Sequence, residues 1–110
     1  MITVKVLIPA KTAENTQTTQ YTATGVTTII DKFTATNYNT AAATISENLV
    51  TSADTAGNQN LIVKTKTHQP SETYTFPELV GQVLASGGFI STIAGTASAI
   101  NIRASGREVT

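Results

Sequence analysis

Apolar and polar residues alternate along most of this chain, and a period of two is typical of β-strands that bury one face. The first segment shows the pattern most clearly, with apolar residues at Ile2, Val4, Val6 and Ile8. We expect Pro9 to end this strand, because proline has no N–H to contribute to a β-ladder. The same alternation, bounded by turn residues, predicts eight strands at residues 2–8, 17–24, 26–36, 41–50, 61–67, 72–76, 89–94 and 98–104.

Eight short strands separated by turns predict an all-β fold, an antiparallel β-sandwich with an eight-stranded jelly-roll as its expected form. A seven-stranded immunoglobulin-like sandwich is the alternative, although the chain lacks the tryptophan and the cysteine pair of antibody domains. The one predicted helix is short and lies near residues 77–84, where Pro77 and Glu78 suit a helix start. A length of 110 residues suits a single domain, residues 1–110.

The composition narrows the range of functions. Threonine occupies 22 positions, charged residues make up only 13% of the chain, and seven basic residues balance seven acidic ones. A polar surface with few charges suits a protein that stays bound to a partner, and zero net charge argues against direct nucleic-acid binding. No apolar stretch is long enough to span a membrane, and the apolar start lacks the basic residues of a secretory leader.

The residue types needed for catalysis or metal binding are scarce. The chain has no cysteine and one histidine, His68, which precedes a turn and is expected to be exposed there. Asp31 and Glu47 interrupt apolar strand faces, which favours a bulge, an edge or a lysine partner such as Lys32 over a catalytic pair. The loop around Asp54 lacks the carboxylate spacing of a calcium-binding loop. We therefore expect a non-enzymatic protein without a metal or cofactor.

Two segments are candidates for contact with a partner. Ile2, Val4 and Val6 lie on a terminal strand, and terminal strands are often sheet edges that offer unpaired backbone groups to another chain. Arg103 and Arg107 are four residues apart and suit forked hydrogen bonds to partner carboxylates. An interior first strand and solvated strand-end arginines stay open as alternatives. We expect attachment to be mainly apolar and hydrogen-bonded, since the chain carries so little charge.

Three C-terminal motifs resemble a run that recurs in small structural proteins of tailed phages and prophages. They are ETYTFPELVGQVL at 72–84, GGFIS at 87–91 and IRASGRE at 102–108. With the all-β pattern and the length, they make the chain similar to the small decoration proteins, also called staple or cement proteins, of short-tailed phage capsids. The motifs cover roughly the C-terminal third of the chain.

This resemblance implies a jelly-roll that dimerises and clamps neighbouring subunits of the major capsid protein. It places the protein in the virion, on the outer capsid surface, after synthesis in the host cytoplasm, and it assigns no individual site residue. Two other functions stay open. One is a neck, tail or fibre-attachment component, and the other is a carbohydrate-binding module, for which Tyr21, Tyr38 and Tyr74 are the available amphipathic aromatic residues.

Overall fold

The computed structural model describes all 110 residues and contains two antiparallel β-sheets packed as a sandwich, which confirms the predicted fold class. A single 3₁₀ turn at Asn58–Asn60 is its only helical element. The nine strands are β1 (Ile2–Thr12), β2 (Thr18–Thr22), β3 (Thr27–Asn37), β4 (Ala43–Val50), β5 (Leu61–His68), β6 (Thr73–Tyr74), β7 (Val83–Leu84), β8 (Phe89–Ala94) and β9 (Ile100–Val109).

The chain's first and last strands lie side by side in the first sheet. Its order is β1-β9-β3-β6, and β7 pairs with another stretch of β3. The second sheet has the order β2-β8-β4-β5. β1 has β9 as its only neighbour, so the prediction that the first strand is a sheet edge is confirmed. The jelly-roll form stays a prediction.

The hydrophobic core lies between the two sheets and contains 19 buried residues. Phe33 of β3 and Phe76 lie at its centre, where their rings meet edge to face with centroids 5.4 Å apart. The second sheet contributes fully buried Ile45 and Ile90, and β9 contributes Ile102. In β9, buried and less buried residues alternate from residue 100 to residue 106, as the period of two predicts.

A β-bulge divides β1 into two parts. The register against β9 shifts between Val6 and Ile8, and both Leu7 and Ile8 are buried in the core. Ile8 therefore does not share the exposed face of the apolar residues before it, and that part of the sequence prediction is wrong. The strand also continues beyond Pro9 to Thr12, because a second irregularity lets the chain pass the proline without a regular ladder.

The predicted helix near residues 77–84 is also wrong. The segment forms tight turns in which the Leu79 N–H donates to the Phe76 carbonyl oxygen at 3.0 Å. The Gly81 N–H then donates to the carbonyl oxygen of Ile30 in β3 at 2.7 Å, and the chain enters β7. An isolated helix of this length is marginal in water, whereas the edge of β3 provides partners for the same backbone groups.

The last strand is longer than predicted. β9 includes most of the C-terminal tail because β1 pairs with one side of it and β3 with the other. Strands β2 to β6 and β8 coincide with predicted strands to within a few residues at each end, whereas β7 was not predicted as a strand.

Candidate partner interface

The outer face of the first sheet, which is turned away from the second sheet, carries an exposed apolar row. Ile2, Val4 and Val6 of β1 are 63%, 83% and 41% exposed. Aliphatic side chains scattered singly over a surface are ordinary, but three in a row on one strand form a continuous apolar strip. All three residues predicted for a partner interface at this end of the chain therefore lie on one accessible face.

The two arginines lie on the same outer face as this row, in β9. Arg107 is directly opposite Val4 in the β1–β9 register, and Arg103 lies four residues earlier on the same strand. The structure thus brings the five predicted interface residues together on one side of the sheet. It also shows that the two arginines have different surroundings.

Arg107 already has a partner within the chain. Its Nε donates to Asp31 Oδ2 at 3.0 Å and its Nη2 to Asp31 Oδ1 at 2.9 Å, which is a forked ion pair. The guanidinium holds the pKa of Asp31 below its usual range, and the carboxylate raises the pKa of Arg107. A bulge in β3 between Ile30 and Lys32 produces this geometry by taking Asp31 out of the ladder, which confirms the predicted bulge. Arg107 is therefore not free to bind a partner carboxylate.

Arg103 makes no ion pair or side-chain hydrogen bond and stays accessible. It lies opposite Thr34 of β3, and the neighbouring pair on the same face is Lys32 opposite Ser105. These four residues line a shallow depression of about 270 Å³. Lys32 has no acidic partner either, so this depression is the basic part of the outer face.

Sequence reasoning missed Lys32, Thr34 and Ser105 as neighbours of Arg103. Each strand's own alternation indicates which of its residues face outward. The register between β3 and β9 decides which of them meet, and a one-residue bulge at Asp31 sets that register. Only the pairing of strands far apart in the sequence brings these side chains together.

A polar cluster lies on the inner face of β1, β3 and β9. The Tyr21 hydroxyl donates to Glu108 Oε2 and forms a 2.6 Å hydrogen bond with the Thr28 hydroxyl. Lys5 Nζ lies 3.3 Å from the same Glu108 oxygen. Burial and the Glu108 carboxylate raise the pKa of Tyr21 to about 12. The cluster ties β2 of the second sheet to β3 and β9 of the first, below the apolar row.

His68 is fully buried at the end of β5, so the prediction of an exposed turn histidine is wrong. Its ring packs against Phe76, with centroids 5.7 Å apart, and meets Tyr74 edge to face at 6.1 Å. Nδ1 is 3.3 Å from the Lys66 carbonyl oxygen, and Nε2 has no hydrogen-bond partner. The ring acts as part of the core.

Glu47 is fully buried in β4, and neither carboxyl oxygen has a hydrogen-bond partner. Burial raises the pKa of Glu47 to about 9, and the charge of Glu78 contributes to the shift. Glu47 is not paired with Lys32, and Asp31 lies exposed on the outer face of the other sheet. The two carboxylates that interrupt apolar faces therefore do not form a common site.

The Asp54 side chain forms hydrogen bonds within its own loop. Its Oδ1 accepts a hydrogen bond of 2.8 Å from the Thr55 N–H, and its side chain also lies near Gln59 and Asn60. No group of three or more His, Asp or Glu side chains in the structure could hold a metal ion. The structure also contains no helix long and apolar enough to cross a membrane.

The outer face of the second sheet has a different character. A depression of about 210 Å³ lies there between β4, β5 and the loop before β5. Most of its lining residues offer amide, hydroxyl or ammonium groups, and these are Gln17, Ser46, Asn48, Asn58, Lys64 and Thr65. Thr65 has a positive φ of 47°, which is strained for a β-branched residue, and its N–H donates to Ser46 Oγ at 2.8 Å.

Comparison with protein-family models, with curated protein sequences and with solved structures found no match for this chain.

Proposed function

We propose that this protein is a non-enzymatic structural component of a phage virion that decorates the outer capsid and stabilises it by clamping neighbouring major capsid subunits. The C-terminal motifs at 72–84, 87–91 and 102–108 support the proposal through their resemblance to phage structural proteins. The observation that carries it is the outer face of the first sheet, where an exposed apolar row adjoins a mixed polar surface.

The chemistry of this face suits attachment to another protein. Ile2, Val4 and Val6 would each gain about 1.5–3 kcal/mol on full burial, before the entropy cost of association. Arg107 is already neutralised by Asp31, so it adds an ion pair to the face and little net charge. Attachment should therefore rest mainly on apolar contact and neutral hydrogen bonds, with Arg103 as the exception.

The direct test is localisation in purified particles of the phage that encodes the chain. Electron microscopy should show density of this size on the outside of the capsid shell, and quantitative mass spectrometry should find hundreds of copies per particle, in proportion to the capsid protein. About a dozen copies at the neck or tail would favour a neck, tail or fibre-attachment component. Absence from particles would contradict both virion assignments.

Salt sensitivity tests the mode of attachment. Exposed charges are screened within about 3 Å at molar ionic strength, so an ionic interface weakens steeply as salt rises. We expect the protein to remain on particles up to roughly 1 M salt. Release at moderate salt would instead identify Arg103 and Lys32 as the anchors, and a charge-removing Arg103→Gln variant would then detach more easily.

The depression on the outer face of the second sheet favours a second candidate function, a carbohydrate-binding module. Its amide and hydroxyl groups match the hydrogen-bonding needs of sugar hydroxyls. None of the three tyrosines lines it, so no aromatic ring is available there to stack on a sugar. Glycan-array binding by the isolated protein, abolished by a change at the exposed Asn58, Asn58→Ala, and retained by Arg103→Ala, would favour this function.

A further inference from the structure

The first half of β1 has free backbone groups along its outer edge. Met1 and Thr110 exchange two hydrogen bonds, since the Met1 amino group and the Thr110 N–H each donate to the other residue's carbonyl oxygen at 2.9 Å. The register then runs without a break from Ile2 opposite Val109 to Val6 opposite Ser105.

This register determines which residues of β1 point their backbone groups away from β9. Hydrogen-bonded and non-bonded residue pairs alternate along an antiparallel ladder. Because residue 1 is in a bonded pair, Thr3 and Lys5 also bond to β9, and Ile2, Val4 and Val6 direct their N–H and C=O groups outward. The three residues with exposed aliphatic side chains are thus the three with free backbone groups.

The other sheet edges are short or irregular. β6 and β7 contain two residues each, and β2 contains five with a register shift. β5 carries two lysines and the positive φ of Thr65 next to its own register shift. In the second half of β1, the bulge and Pro9 interrupt the ladder. Bulges, lysines, prolines and short strands protect natural sheet edges from pairing. Residues 2–6 contain one lysine, Lys5, but they are the longest stretch of any edge strand whose register has no break.

We infer that two copies of this chain pair through residues 2–6 of β1, antiparallel and related by a two-fold axis at Val4. This arrangement places Val4 opposite Val4 of the second copy and Ile2 opposite its Val6. Each of these three residue pairs can exchange two main-chain hydrogen bonds. The two first sheets then form one continuous sheet across the axis.

The register of this pairing is self-complementary in both shape and charge. On the outer face, aliphatic side chains meet aliphatic side chains at all three bonded positions, so that a strip of six crosses the axis. On the inner face, Lys5 lies opposite Thr3 of the second copy, so no lysine directly opposes its counterpart. An axis moved by one residue to Lys5 would place two like charges opposite each other, which destabilises a cross-strand pair.

A two-fold axis also explains why such an edge need not lead to fibres. Pairing β1 with β1 uses the same surface on both copies and closes after two chains. The opposite edge of the first sheet is divided between β6 and β7, which are too short to continue the ladder. The pair should therefore be a discrete dimer of twice the 11.5 kDa chain mass.

The inference is tested on the isolated full chain, without particles, by sedimentation velocity over a range of concentrations. Wild-type protein should dimerise, and Val4→Glu and Val4→Lys should each weaken the dimer by roughly tenfold or more, because like charges then face each other across the axis. An equimolar mixture of the two variants should dimerise again, since Glu opposes Lys in the mixed pair. The matched controls are Val80→Glu and Val80→Lys, at a valine 49% exposed in the turn after Phe76, and both should dimerise like wild type.

Hydrogen exchange provides an independent readout that needs no variant. The amides of Ile2, Val4 and Val6 should be protected at high concentration and exchange freely on dilution. The amides of Thr3 and Lys5 bond to β9 within one copy and should be protected at both concentrations.

Three results would overturn the inference. The first is a wild-type chain that stays monomeric up to roughly millimolar concentration, which would leave the edge to a different chain such as a capsid subunit. The second is a dimer unaffected by both Val4 variants. The third is a mixture of the two Val4 variants that dimerises as weakly as each variant alone, which would mean that Val4 does not lie at the two-fold axis. None of these results bears on whether the protein is found on particles, so the inference and the proposed function can fail separately.

Discussion

Replacing the buried Glu47 by glutamine should stabilise the protein, and the gain should depend strongly on pH. The carboxyl group is fully buried and its oxygens have no hydrogen-bond partner, so burial raises its pKa to about 9 from an ordinary value of 4.5. Glutamine has nearly the same shape and cannot ionise. The comparison of the two proteins therefore isolates the protonation of one group.

The sign and size follow from the proton balance. Between pH 4.5 and about 9 the folded state keeps a proton on Glu47 that the unfolded chain releases, so the free energy of unfolding falls as pH rises. A pH of 7 lies about 2.5 units above the ordinary pKa of 4.5 that Glu47 has in the unfolded chain. Keeping the proton on Glu47 in the folded state therefore lowers the free energy of unfolding at pH 7 by about 3 kcal/mol. Glu47→Gln should thus be more stable than wild type by an amount of this order at pH 7, and by little near pH 4.5.

Urea denaturation of both proteins at intervals from pH 4.5 to pH 9 measures this difference directly. Titrations of other groups, such as Asp31 and Glu108, occur in both proteins and cancel when the unfolding free energies are subtracted. Thermal melting should show the same trend, with a gain of roughly 10 °C at pH 7. Glu78→Gln is a useful second variant, because removing this neighbouring charge should reduce the dependence on pH slightly without abolishing it.

A stability difference that stays constant across this pH range would refute the reasoning, and so would a wild-type protein that is the more stable one at pH 7. Either result would mean that the Glu47 carboxyl group finds hydrogen-bond donors or water in solution, or that it is ionised in the folded state.

Three further predictions concern contacts made by strands of the first sheet. Gly106→Ala should destabilise the fold by about 3 kcal/mol or prevent folding, because the alanine methyl group would collide with the backbone carbonyl oxygen of Ile29 in β3. Urea denaturation would detect this loss. Tyr21→Phe should cost about 1–2 kcal/mol in the same assay, because the buried Thr28 hydroxyl loses its partner; an unchanged midpoint would contradict this role. Asp31→Asn should lower stability slightly at low salt and not at about 1 M salt, since its pair with Arg107 is exposed; a salt-independent loss would argue against an electrostatic origin.

Alternating apolar residues determined most of the strands of this protein. The period of two in residues 89–94 or 98–104 has the same meaning in any antiparallel sheet, because the side chains of a strand must point alternately to its two faces. The absence of cysteine and of a second histidine likewise limits the chemistry open to this chain, whatever its fold. The first strand was predicted as an edge candidate from the sequence, and its edge position is confirmed.

Alternation alone did not predict the positions at which a bulge turns the apolar residues of a strand from one face of the sheet to the other. The pattern at Ile2, Val4, Val6 and Ile8 is regular, yet the bulge after Val6 turns Ile8 into the core. A bulge depends on which partner strand supplies the opposing backbone, and that partner is β9, about 100 residues later in the chain.

The helix near residues 77–84 and the exposed histidine failed for a related reason. An isolated short helix has little stability in water, and the backbone N–H of Gly81 donates to Ile30 at the edge of β3 instead. His68 follows a polar segment, but the aromatic rings that cover it belong to Tyr74 and Phe76, which reach it only after the turn folds back. Burial and cross-strand register are properties of the assembled sandwich, because they arise from contacts between segments that are distant in the sequence, and so only the tertiary structure decided them.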